Sequence, residues 1–111
     1  MNEKVLKCLF DIKIAIEEIE SFFESGNHNF EAYKRNTLLK RAIERDLEII
    51  GEAMSRILKE DANLPLKNIK RIIGLRNQII HGYDSISDES IWGILTIHLP
   101  ELKKEVESLI K

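Results

Sequence analysis

Apolar residues recur along this chain at spacings of three and four. Val5, Leu9, Ile12, Ile16, Ile19 and Phe23 lie four, three, four, three and four residues apart, which is one face of an amphipathic helix. The pattern predicts a helix from Asn2 to about Ser25, stopped by Gly26-Asn27. A second face, Leu39, Ile43, Ile50, Met54 and Ile57 with Leu47 beside it, predicts a helix from about Phe30 to Glu60 with no proline inside. Some 30 residues would span about 45 Å at 1.5 Å per residue. In a domain this small, that length implies a kink, with Gly51 the candidate, or a surface shared with a second subunit. Asp61-Ala62-Asn63-Leu64-Pro65 breaks the pattern. A third helix is expected from about Leu66 to His81, with Pro65 near its start and Gly82 as a left-handed cap. Its stripe reads Ile69, Ile73, Arg76, Ile80. A fourth starts near Ser87, with Ile86 and Ile91 placed as a hydrophobic staple, and continues through Leu95, His98, Leu102, Val106 and Leu109. Pro100 falls inside it and should kink it, because proline removes the bond to Thr96. No repeat, low-complexity tract or strand-like alternation is present. The expectation is one all-α domain over residues 1–111, an antiparallel bundle of four helices with short links.

Composition narrows this further. The 111 residues suit a single domain, and 43% hydrophobic with 32% charged residues marks a globular rather than a disordered chain. The 17 basic and 19 acidic residues nearly cancel, leaving −2. Any nucleic acid must therefore be met by a local patch, because no global field draws it in. A lone cysteine, Cys8, allows neither an internal disulfide nor a thiolate metal cluster, and it reads as a small buried apolar residue. No apolar run approaches the ~20 residues of a membrane span, and the N-terminus lacks a secretory pattern. A soluble, cytoplasmic protein is expected.

The chemistry concentrates in Arg76-Asn77-Gln78-Ile79-Ile80-His81-Gly82-Tyr83. Arg76 stands where a core position would hold Leu or Ile, and a guanidinium is costly there unless paired or facing a wet groove. Asn77 and His81 are four apart and share a helix face, so Asn77 can fix the tautomer of His81. Arg76 and His81 are about 140° apart on an ideal helix, so they converge through the reach of the arginine or across a dimer. An imidazole that moves protons near neutral pH and a guanidinium that braces charge on phosphorus are the minimum for metal-free RNA cleavage by the 2′-hydroxyl. One chain supplies one such histidine; a two-fold dimer would supply two. Spacing alone also fits a structural reading, with Arg76 in a salt bridge and His81 against the helix dipole.

The string Gly74 to Tyr83 resembles the signature of the HEPN superfamily, and within it the HepT-like branch: Arg, four residues beginning with a polar one, His, any residue, Tyr. Ile49-Ile50-Gly51-Glu52-Ala53 is similar to a second segment of that family, and Trp92 with His98-Leu99-Pro100-Glu101-Leu102 resembles its last helix. The resemblance implies an all-α bundle of four or five helices that dimerises so that the motifs line one cleft, acting as a ribonuclease toxin of a toxin–antitoxin module without a cofactor. It implies Arg76 and His81 as catalytic residues, Asn77 as a supporting one and Tyr83 as the acceptor of AMP. The AMP would come from ATP, through a minimal nucleotidyltransferase antitoxin. Some HEPN proteins act instead as nucleotide- or partner-binding modules, and that alternative stays open here.

Other residues read more plainly. His28 falls in a turn and His98 on an apolar face, where a hydrogen-bonded core or interface role is expected. Glu48 and Glu52 share a face, as do Lys40 and Glu44, in the manner of solvated surface. Glu52 has a further option, a pair with Arg76. Lys67, Lys70 and Arg71 form a small basic patch that, joined to Arg76, would track an RNA backbone. Trp92 and Tyr33 are expected to pack rather than to stack on bases.

Overall fold

The computed structural model describes residues 2–24, 29–67, 69–80 and 86–111. These hold α1 (Glu3–Ser21), α2 (Phe30–Arg35), α3 (Thr37–Glu60), α4 (Ile69–Ile80), α5 (Asp88–Gly93), a π-helical turn (Ile94–His98) and α6 (Leu99–Ile110). No strand occurs among the described residues. Because α5, the π turn and α6 follow one another without a gap, the fold is four long rods plus the short α2: the all-α bundle that the periodicity predicts.

Side-chain caps fix where the helices begin. The Oδ1 atoms of Asn2, Asn29 and Asn36 accept from the backbone N–H groups of Val5, Ala32 and Leu39 at 2.8, 2.8 and 2.9 Å, and Ser87 Oγ accepts from Ser90 N at 3.1 Å. Each satisfies a donor that the first turn leaves without an intrahelical partner. Asn36 corrects the expectation of one helix over residues 30–60. It ends α2 in extended backbone (φ −102°, ψ 94°) and starts α3. The predicted kink at Gly51 is also absent, since α3 runs unbroken through it. Its 24 residues would span ~36 Å, within the 41 Å long axis of the molecule. The length therefore needs no second subunit to accommodate it.

Cross-links show that the rods alternate in direction. Asn2 Nδ2 donates to Glu60 at 3.2 Å, tying the start of α1 to the end of α3. Lys40 meets Asp88 at 3.1 Å, Lys103 meets Glu20 at 2.9 Å, and the N–H of Lys67 donates to Glu105 at 3.2 Å. The predicted faces of α1 and α3 form the core: Leu9, Ile12, Ile43, Leu47, Ile50 and Ile57 are fully buried. At one end, α2 closes the bundle through aromatic contacts. Trp92 lies 5.4 Å from Tyr33, 5.9 Å from Phe23 and 6.1 Å from Phe30, between ring centroids, distances at which rings attract. Tyr33 is buried, and burial foremost, then Asp88 and Glu44, raises its hydroxyl well above the usual range. It is a packing residue, as expected.

Two expectations about the later helices change. α4 begins at Ile69, so Pro65 lies in the preceding link rather than at a helix start. Its deeply buried residues are Ile72 and Leu75, with Ile69, Ile73 and Ile79 partly buried. The core-facing stripe is therefore turned from the predicted one, and Arg76 lies at its edge. Near Pro100 the rod widens by one residue instead of breaking: the N–H of Leu99 bonds the carbonyl of Ile94, five back, and Thr96 Oγ1 donates to the carbonyl of Trp92 at 2.9 Å. Such π turns re-satisfy backbone groups around an irregularity. No helix among the described residues is long and apolar enough to cross a membrane.

Candidate active site

Arg76 is placed by a close contact between helices. A Cβ added at Gly51 would lie 2.3 Å from Cβ and 2.8 Å from Cγ of Arg76, and 3.3 Å from the carbonyl oxygen of Ile72. Only a residue without a side chain lets α4 approach α3 so closely. One residue on, Glu52 Oε2 accepts from Nη2 of Arg76 at 2.5 Å, while Nη1 donates to Oδ1 of Asn77 at 2.8 Å. The Arg76 side chain is 26% exposed, and its Nε is buried without a hydrogen-bond partner. The segment Ile49 to Ala53 thus carries two linked features, a glycine that admits the arginine and a glutamate that holds it.

Around Arg76, α1, α3 and α4 enclose a cleft of about 330 Å³. Its charged lining alternates in sign: Arg45, Arg56 and Arg76 against Asp11, Glu48 and Glu52. Glu52 also meets Arg56 at 3.3 Å, and Arg45 meets Glu48 at 3.6 Å. Among the described lining residues the cations do not outnumber the carboxylates, so an anion entering the cleft would compete with carboxylates for them. Cys8 lines the same cleft; burial foremost raises its thiol pKa, which disfavours the reactive thiolate.

The other residues singled out by sequence divide into three groups. Asn77 is exposed and engages Arg76. His81 and Tyr83, with Gly82 and His28, lie outside the described residues. The basic patch is not continuous with Arg76. Arg71 Nη1 is 2.8 Å from Nε2 of His98, Lys67 meets Glu101 at 3.9 Å, and Lys70 and Arg71 line a separate groove against α5. Arg71 and Arg76 are five apart in sequence, which turns them about 140° away from each other on α4. His98 is the hydrogen-bonded interface histidine that its position suggested.

Sequence reading missed Asp46. It is buried, one carboxylate oxygen has no partner, and its pKa is raised to about 7. Burial is the main cause, followed by a hydrogen bond to Glu18 and the charge of Glu18, with Arg45 opposing. Asp46 directly precedes Leu47, which lay beside the predicted face of α3, so its burial was the available signal.

Residues 12–109 match the family model described as Ribonuclease HepT-like. The chain belongs to the HepT-like family. Two proteins of Methanocaldococcus jannaschii, each named "Putative RNase", are 34% and 36% identical to it, over 93% and 96% of this chain and 84% and 98% of their own. A Caldanaerobacter subterraneus protein of the same name is 36% identical over 75% of either chain. No solved structure matches the chain.

Proposed function

We propose that this HepT-like protein is a metal-independent endoribonuclease toxin, acting as a homodimer and silenced by AMP transfer to Tyr83. The observation that carries the reading is Arg76, a guanidinium seated by Gly51 and oriented by Glu52 and Asn77 within the family motif. In the proposed reaction one His81 imidazole takes the proton of an RNA 2′-hydroxyl as that oxygen attacks the adjacent phosphorus. The bond from phosphorus to the 5′-oxygen breaks, and the departing oxygen takes a proton from a second imidazole. Arg76 offsets charge on the phosphoryl oxygens. The products are a 2′,3′-cyclic phosphate and a 5′-hydroxyl. Since each chain holds one motif histidine, the second comes from a second copy.

Tyr83 lies two residues beyond His81. In the modification its phenolic oxygen attacks the α-phosphorus of ATP, losing its proton as pyrophosphate departs. The antitoxin, a minimal nucleotidyltransferase, would catalyse this step. The attached phosphate is an anion that Arg76 can bind in place of RNA. His81→Ala should abolish cleavage at unchanged helical circular dichroism; wild-type cleavage by that variant refutes the assignment. Tyr83→Phe should cut RNA but gain no AMP mass on incubation with partner and ATP.

A non-catalytic module that binds nucleotide or docks the nucleotidyltransferase is the second reading. The Glu52–Arg76 pair favours it, since the cation already has an anion. Expressing the chain by itself separates the two: the nuclease arrests growth and leaves cyclic-phosphate RNA ends, and the module does neither.

A further inference from the structure

α4 has a second groove, across the helix from Arg76, and its chemistry differs from that of the first. It has a volume of about 570 Å³ between α4 and the rod formed by α5 and the π turn, within the range of small-ligand clefts. Lys70 and Arg71 line one wall. Neither meets a carboxylate among the described residues. Arg71 is instead braced by His98, whose Nε2 lies 2.8 Å from Nη1. An arginine N–H only donates, so Nε2 is the acceptor of this bond. The guanidinium keeps its charge, spans the groove and has further donors for an anion. Among the described lining residues Glu89 is the one carboxylate, against Lys70 and Arg71.

The glycines point to the same place. Gly51 is explained by its contact with Arg76, but Gly74 and Gly93 are also helical, and a Cβ added at either meets nothing within 4 Å. A glycine inside a helix is less favourable than an alanine, and packing gives no reason for these two. Both line this groove, one on each wall, where they leave open space above an apolar floor of Leu75 and Ile94.

From this arrangement we propose that the groove is an exosite for the RNA strand, resting on the ribonuclease reading above. One nucleotide flanking the scissile bond lies between Gly74 and Gly93, with its phosphate on Lys70 and Arg71. The strand passes around α4 from this groove to the Arg76 side.

The test is binding of a 5′-labelled single-stranded oligoribonucleotide to the full chain carrying His81→Ala, measured across salt concentrations. Adding Lys70→Ala with Arg71→Ala should weaken binding about tenfold and reduce the salt slope by about 0.7, since the one phosphate that both side chains neutralise is released. Gly93→Leu should weaken binding by filling the groove while leaving the slope unchanged. If Gly93→Leu fails to fold, the charge variants still decide. Wild-type affinity and slope in the double variant overturn the exosite. So does AMP binding the groove as tightly as the strand, which would mark a free-nucleotide site. Loss of nucleotidyltransferase capture with RNA binding intact overturns it as well, in favour of a protein-docking groove. A chain that cuts RNA while its double variant binds normally loses only the exosite; a chain that neither cuts nor binds RNA loses both readings.

Discussion

At the scale of single residues, two positions show what a sequence pattern conveys and what it hides. Arg76 was legible as an arginine out of place in an apolar stripe, and the family resemblance gave it a role. The reason for Gly51 was not legible: a glycine within a long helical pattern reads as a weak point, whereas its missing side chain is what α4 packs into. Gly51→Ala should therefore destabilise the fold even though alanine is the better helix former. Forcing a methyl against the Cβ of Arg76 is an overpacking change of about 1–3 kcal/mol, read as a lower Tm, and cleavage should fall with it as Arg76 shifts. An unchanged or higher Tm would show that the contact gives way freely. Asp46 makes a second prediction. Its pKa rises from the ordinary 3.8 to about 7 in the folded chain, so between these values the folded state binds more protons than the unfolded one. Its contribution to stability is present below about pH 4 and is lost as pH rises toward 7. Asp46→Asn should match the wild type near pH 4, exceed its Tm at pH 8 and flatten the profile between. Identical profiles for the two proteins would show that Asp46 is not the titrating group.

At the scale of elements, helix existence was readable and helix termini were not, for a physical reason. Burial repeats every three or four residues and leaves a long trace, whereas a boundary rests on one cap. The faces of α1 and α3 appear as predicted, but Asn36 divides what looked like one helix because its side chain replaces backbone bonds locally. Asn36→Ala removes that acceptor and should cost about 1 kcal/mol, measured by denaturant midpoint. Asn36→Asp should retain most of the stability, because a carboxylate caps as well. On α4, Ile69, Ile73 and Ile80 suggested one orientation, but Ile72 and Leu75 take the core. Isoleucines occupy so many of its positions that periodicity leaves the rotation of the helix undetermined, and the contact at Gly51 sets it. Pro100 was legible as an irregularity, though not as a π turn. The site is readable to the same partial degree: the pairing of Glu52 with Arg76 was an option in the sequence, while the separation of Lys70 and Arg71 from Arg76 depends on that same rotation.

At the scale of the molecule, the proposed chemistry needs two imidazoles where one chain holds one in the motif, so assembly is part of the mechanism. The surface offers a place for it. α1 buries Leu9, Ile12 and Ile16 on one side yet exposes Leu6, Phe10 and Ile14 on the other. These are four apart, so they form one row, and Ile14 lies one turn from Asp11 on the wall of the Arg76 cleft. A second copy covering this row would stand beside the cleft, where its motif can complete the first. A glutamate in such a contact would be buried without a partner and should break it. In the free chain, Phe10 is exposed and the same change should cost little. Phe10→Glu is therefore expected to keep its Tm nearly unchanged, to sediment as a monomer where the wild type is expected to sediment as a dimer, and to lose RNA cleavage although every motif residue remains. A Phe10→Glu protein that stays dimeric would move the interface elsewhere. A monomer that cuts RNA at the wild-type rate would remove the requirement for a second histidine, and the proton delivered to the 5′-oxygen would then have to come from within one chain.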